Sequence, residues 1–253
     1  MSRIVRLLTA AGLLSIVAAH SGASDLKKVD TLLDLHDLRT TMAIGNYYLK
    51  QEAVLATRSY LRTLGREQRL GEDWNRDNPH WQKAEAALVD SLMGQAARPF
   101  SNLEWLMGEW GALTAREFSD ADLDFLAGHL RTEYGRKQVM IMDHNLALYV
   151  MASYSLTGRM QDVPGTEAER KVMQDLWNAE DAAMRFDPNQ SPEATQFAFS
   201  PAGKKYFVNA VLKVSGIINA RINQAVASMP ALVQANAAQA MPYVEAYRQS
   251  RRG

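Results

Sequence analysis

FSPAGKKYF, residues 199–207, decides how this chain is read. Ser200 is a strong helix N-cap, because its hydroxyl can accept from an amide of the helix that follows. Pro201 then falls at the first helical position, where a missing N–H costs nothing. It also pushes Ser200 out of helical geometry, so the preceding helix ends there. Gly203 has no side chain and lets a neighbouring backbone approach. Lys204 and Lys205 are expected to face water. The stretch predicts a tight elbow between two helices, an αα-hairpin. The same frame occurs in RTEYGRKQV, residues 131–139. There Thr132 caps, Glu133 suits the positive helix end, Gly135 gives clearance, and Arg136 and Lys137 form the basic pair. Phe118 precedes Gly135 by the same spacing as Phe186 precedes Gly203. The two hairpins therefore read as a degenerate internal duplication, with chance reuse of the same caps as the alternative.

Working outward, the punctuation is helical almost throughout. Residues 25–64 carry an apolar stripe at helical spacing, begun by Leu32, Leu33, Leu35 and Leu38 and continued by Val54, Leu55, Tyr60 and Leu61. Gly45-Asn46 is the expected break in it. Residues 65–80 are polar and rich in turn formers, so they form a loop. A helix is expected over 81–95, and another holds Leu103, Leu106 and Trp110. Ser119 and Asp122 make a capping box for a helix that runs to about Arg131, and a helix from Glu133 to about Leu156 follows the first elbow. Thr166 and Glu169 open a further helix that ends near Arg185. The second elbow starts a long helix from Pro201 to about Met229, where Pro230 is expected to end it, and a tail helix with Pro242 closes the chain. No alternating β-branched runs stand out. The reading is an all-α multi-helix bundle built from αα-hairpins. It forms a single domain over 24–253 or two lobes, 24–115 and 116–253.

Residues 1–23 are set apart as a cleavable signal peptide. Arg3 and Arg6 precede the charge-free stretch Leu7–Ala19, and small residues then offer a cut before Ser24 or before His20. That stretch is too short for an ordinary membrane span; an uncleaved anchor is the alternative. The expectation is a periplasmic or secreted bacterial protein. The chain has 28 basic and 28 acidic residues, and removing the leader takes away two arginines and no acid. So balanced a charge argues against nucleic acid as a partner. There is no Cys, so thiol chemistry and disulfides are excluded and stability must come from the core. The 47% hydrophobic content suffices for one. After the leader no charge-free stretch is long enough to span a membrane.

VDTLLDLHDL near the mature start, FSDADLDFLAGHLRTEYGRKQ at 118–138 and SPAGKKYF at 200–207 together resemble a family of secreted bacterial all-helical proteins catalogued as a domain of unknown function. Its signature is a Phe-Ser/Thr-x-x-acid-Leu helix start followed by a Ser/Thr-Pro-x-Gly-basic elbow. Phe118, Ser119, Asp122, Leu123, Thr132, Gly135 and Arg136 match it in order. Glu133 departs from the usual Pro; the second copy supplies Pro201 but lacks the acid-Leu start. The resemblance covers about a tenth of the chain. It implies a periplasmic helical domain and carries no catalytic residues.

The chemistry-bearing residues are sparse. His36, His80, His129 and His144 form no HxxxH or HExxH pair, so no metal site and no cofactor is expected. Asp143 and His144 are neighbours, so on a helix they diverge by about 100°. Their helix, residues 138–156, is apolar on nearly every other face and reads as central. Asp143, His144 and Asn145 then form either a narrow wet face or a satisfied buried network. Asp143 and His144 are the candidate catalytic residues, with a structural role as the stronger reading. No GxSxG elbow is present. Asp120, Asp122 and Asp124 at a helix start are explained by capping and the helix dipole. Two basic residues in each elbow's first helical turn oppose that dipole; an anion there is one explanation and solvated side chains the other. Trp105 and Trp110, with Met107 between, are expected in the core or along an apolar groove. These features favour a non-enzymatic exported protein that binds a protein or envelope component. An envelope hydrolase using carboxylates or the Asp143–His144 region, and a carrier of a lipid or other apolar ligand, are the alternatives.

Overall fold

Both elbows form, and they share one geometry. In the second, Gly203 N donates to Ser200 Oγ at 2.9 Å, and the same hydroxyl donates to the Phe197 carbonyl at 2.7 Å. In the first, Gly135 N donates to Thr132 Oγ1 at 3.0 Å, and that hydroxyl donates to the His129 carbonyl at 2.7 Å. The capping side chain thus stitches the last turn of one helix to the first turn of the next. The bend folds the carbonyl back onto the glycine. A Cβ on Gly203 would lie 2.1 Å from the Phe197 carbonyl oxygen, and one on Gly135 would lie 2.0 Å from that of His129. Glycine is therefore required at both positions for clearance. The two elbows also meet: His129 and Phe197, each six residues before its glycine, stack with ring centroids 3.9 Å apart and planes 9° apart.

The structure, a computed structural model, describes residues 25–100, 102–155 and 192–252, with isolated positions between 167 and 178. The leader at 1–23, the helix expected from Thr166 to Arg185 and Phe186 lie outside the described residues, apart from those isolated positions. The helices are α1 (Leu26–Leu33), α2 (Arg39–Glu67), α3 (Pro79–Ala96), α4 (Glu104–Glu117), α5 (Asp120–Leu130), α6 (Glu133–Ser155), α7 (Pro192–Phe199), α8 (Pro201–Phe207), α9 (Val214–Ala235) and α10 (Met241–Ser250). A π-helical segment, Val208–Lys213, joins α8 to α9 without interruption. Among the described residues there are no strands, and the fold is an all-α multi-helix bundle. Ser119 and Asp122 form the expected capping box on α5.

Helix α2 is the axis, packing against α3, α6 and α9. Helix α1 lies on α4 and α5, while α10 lies on α3. The main core runs from Val29 to Val233 and draws Ile44, Leu49, Leu106, Trp110, Leu146 and Ile218 from both sides of residues 115–116. A second, smaller core closes the far end of α2, where Leu61, Trp74, Trp81, Val244 and Tyr247 pack together.

Three expectations need correction. The stripe at 25–64 does not break at Gly45-Asn46, which lies inside the continuous α2. Side-chain atoms of Ile222 and Phe100 sit 3.4 and 3.6 Å from where a Gly45 Cβ would be, so the glycine marks a helix crossing. The break falls at residues 34–38, where the α1 end tightens through His36 N to the Leu33 carbonyl and Asp37 Oδ1 accepts from Arg39 N at 3.1 Å. Pro230 does not end its helix either, since α9 runs through it to Ala235. Pro230 is exposed, so water can serve the carbonyl its ring leaves without an amide. Finally, the helix after the second elbow is not uniformly α. Its π-helical segment widens one turn, and the consecutive residues Asn209, Ala210 and Val211 are all buried.

Candidate functional site

Asp143 was legible as a polar residue on a central helix; its partners were not. His36, in the corner between α1 and α2, enters the core beside it. Its Nδ1 lies 2.5 Å from Asp143 Oδ1 and its Nε2 lies 2.8 Å from the Tyr206 hydroxyl. Asp143 Oδ2 accepts from Asp37 N at 2.8 Å. The His36 side chain is 1% exposed and that of Asp143 12%, while Tyr206 is fully buried. Trp110 covers the imidazole edge-on, with ring centroids 4.7 Å apart. Burial, reinforced by the Asp143 charge, pushes Tyr206 well above the usual tyrosine range, so its hydroxyl keeps its proton. The arrangement that satisfies every group has Tyr206 O–H donating to Nε2 and His36 Nδ1–H donating to the Asp143 carboxylate.

A second buried network lies one turn along. Asn209 Oδ1 accepts from Trp110 Nε1 at 2.8 Å and from Thr114 Oγ1 at 3.4 Å; its amide donates to Glu117 Oε2 at 3.1 Å. Lys213 Nζ pairs with the other Glu117 oxygen. Burial works to raise the Glu117 carboxyl, but hydrogen bonds from Lys213 and Asn209 outweigh it and hold the group below its usual value. Asn209 lies in the π-helical segment.

The relay carries the residue types of a charge-relay system without the access. Both imidazole nitrogens are engaged, each Asp143 oxygen already accepts a bond, and the His36 and Tyr206 side chains are buried. Only the Asp143 edge reaches a cleft of about 460 Å³, which Asp37, Thr40, Arg136, Val139 and His144 also line. His144 thus sits beside the relay at the cleft wall, half-buried, and it is the Asp143 carboxylate that bonds to His36. Asn145 turns back to the Ile141 carbonyl at 2.9 Å. Among the described residues no group of three or more His, Cys, Asp or Glu is placed to hold a metal.

Three of the four elbow cations have protein partners, and the fourth, Arg136, lines the cleft. Lys137 pairs with Glu133 at 3.2 Å. Lys204 lies over the Phe199 ring at 5.4 Å and Lys205 over the Phe118 ring at 4.8 Å. Lys205 also donates to the Glu117 carbonyl, closing the C-terminal end of α4. The elbows therefore read as joints.

Trp74, Trp81 and Trp110 settle into packing. Trp110 is fully buried and Trp74 and Trp81 nearly so; Trp74 and Trp81 meet edge to face at 5.5 Å. The apolar groove lies elsewhere, at the second elbow. Ile141, Met142, Phe197, Phe207 and Val208 line a depression of about 430 Å³ with Lys204 at its rim. Phe199 is 69% exposed beside it, and Phe207, Val208 and Leu212 are each about two-fifths exposed. Sequence reasoning missed this surface because helical spacing alone cannot tell which apolar residues lack a neighbour.

Buried tyrosines give the fold an alkaline limit. Tyr154 is pushed up to about 12 by burial and then by Glu52, and burial pushes Tyr48 and Tyr206 up as well. The unfolded chain ionises these phenols near pH 10. The unfolded state thus loses protons first, so stability holds below pH 10 and falls as pH rises above it. Ultraviolet titration is expected to show their ionisation only together with loss of the helical circular-dichroism signal. Reversible ionisation of all nine tyrosines in a folded protein would contradict this.

No helix among the described residues is long and apolar enough to cross a membrane. Compared with protein-family models, curated proteins and solved structures, the chain finds no match.

Proposed function

We propose that this is an exported helical protein that acts by binding a partner protein of the envelope, not by catalysis. The observation that carries this reading is the apolar surface at the second elbow. Phe207 and Val208 line a groove with Ile141, Met142 and Phe197, and Phe199 and Leu212, close by in sequence, are exposed as well. Exposed aromatic and aliphatic side chains grouped around a concavity mark interaction sites more often than chance surface. The sealed relay supports the same reading, since its one base is spent on internal hydrogen bonds. Export rests on the order of charged, apolar and small residues at 1–23. The resemblance to secreted helical domains of unknown function, and the stacking of equivalent elbow rings that a duplicated hairpin would give, are consistent with it.

The test is a double charge substitution, Phe207→Glu with Leu212→Glu. Both side chains are partly exposed, so the fold is expected to hold, with a change in stability of about 1 kcal/mol or less. A photo-crosslinker at Val208 is expected to trap a specific partner in cells and to lose it in the double variant, along with complementation of a deletion strain. Full complementation by a folded double variant would overturn the reading.

A further inference from the structure

We propose that Arg62, Arg66 and Arg69 form a binding site for a phosphate-type oxyanion, separate from the apolar groove. The three line one cleft of about 630 Å³ at the C-terminal end of α2, together with Ser59, Glu72 and Trp74. Arg62 and Trp74 also line an adjoining concavity that adds Arg58 and Arg76. Two arginines nearby in sequence are paired. Arg58 on the same helix forks onto Glu85, with Nε 3.0 Å from both carboxylate oxygens. Arg39 forks onto Asp37. The cleft arginines meet no carboxylate among the described residues. Arg62 reaches only the Arg58 carbonyl, at 3.3 Å, and Arg66 only Thr63 Oγ1, also at 3.3 Å. In a chain of zero formal net charge, three unmatched guanidinium groups at helical spacing make a local positive field. Planar forks of this kind suit phosphate oxygens.

The backbone singles out the third arginine. Leu70 N donates to the Gly65 carbonyl at 3.0 Å, and Arg69 N donates to that of Arg66 at 3.2 Å. This is a Schellman ending, in which the residue at the position of Arg69 takes left-handed geometry and is usually glycine. Arg69 has φ of +52°, the one positive-φ non-glycine residue among those described. The chain keeps a strained arginine where glycine would be free of strain, which is the mark of a residue retained for its side chain. The same hydrogen bonds satisfy carbonyls at the helix end that would otherwise repel an anion. The loop is held from behind: the Leu70 carbonyl accepts from Tyr247 Oη at 3.1 Å and from Arg251 at 2.8 Å. Trp74 is anchored through Nε1 to the Leu61 carbonyl at 3.1 Å. The guanidinium groups therefore project from a fixed frame.

The test uses the folded protein with three probes: pyrophosphate by calorimetry, and phosphatidylglycerol or phosphatidylcholine vesicles by co-sedimentation. R62Q/R66Q is expected to weaken pyrophosphate binding by about tenfold or more. Arg69→Gly is expected to weaken it too while melting no lower than the parent, because glycine relieves the left-handed strain. Arg39→Gln, which breaks a pair outside the cleft, is expected to leave binding unchanged. If phosphatidylglycerol vesicles bind and the same variants release them, the phosphate is a lipid headgroup. If pyrophosphate alone binds, it is a soluble phosphate ester. Absence of saturable binding to pyrophosphate and to phosphatidylglycerol, or binding that survives both variants, would overturn the proposal.

Discussion

Gly203→Leu is expected to lower stability by about 3 kcal/mol or more, a large part of what a domain of this kind has in reserve. The reason is local and backbone-based. Even a bare Cβ at Gly203 would lie 2.1 Å from the Phe197 carbonyl oxygen and 2.9 Å from Ser200 Oγ. Neither can yield without opening the cap, because that hydroxyl holds both the Phe197 carbonyl and the Gly203 amide. Gly135→Ala faces the same obstacle, the His129 carbonyl oxygen at 2.0 Å. Two further substitutions serve as controls. Lys204→Ala removes an exposed side chain and is expected to change stability by no more than about 0.5 kcal/mol. Gly216→Ala, in α9 with nothing within 4 Å of the added carbon, is expected to stabilise by about 0.5–1 kcal/mol. Thermal melts of the four variants check this. Equal shifts for Gly203→Leu and Lys204→Ala would remove the close-approach argument.

The elbows were legible because a cap, a clearance glycine and a proline act locally, and each leaves its residue type in the sequence. Ser200, Pro201 and Gly203 needed no knowledge of the rest of the fold, and neither did the Ser119–Asp122 capping box. The all-α class followed from the spacing of apolar residues in the same way. The relay was only half legible. Asp143 stood out as a polar residue in an apolar helix, yet its partners lie at residues 36 and 206, and no spacing rule links such distant positions. His36 fell within a stretch read as continuous helix up to Gly45, and at the break that brings it inward Asp143 accepts the Asp37 amide. Asn209 was hidden for another reason: it is buried together with Ala210 and Val211 in a π turn, and such a turn has no residue signature. Pro230 shows the converse, a strong local signal overridden because its surroundings leave the freed carbonyl to water.

The second large effect is expected at Asp143. Asp143→Ala removes the acceptor of both His36 Nδ1–H and the Asp37 amide. A buried imidazole and the amide that shapes the α1–α2 corner are left without partners, at a cost of about 2–4 kcal/mol. His144→Ala, at the half-buried cleft wall, is expected to cost about 1 kcal/mol. Unfolding by urea at neutral pH separates them. A smaller loss at Asp143 than at His144 would mean that the carboxylate does not hold the corner.

In the proposed reading the Asp143–His36–Tyr206 relay holds helices together and performs no chemistry. Tyr206→Phe tests it most directly, because it deletes one hydroxyl and keeps the ring that fills the core. The variant should be measured for melting temperature and for complementation of a deletion strain. A stability loss of about 1–2 kcal/mol, from the unpaired His36 Nε2, is expected with complementation retained. A variant that melts like the parent and fails to complement would contradict it and make the relay catalytic.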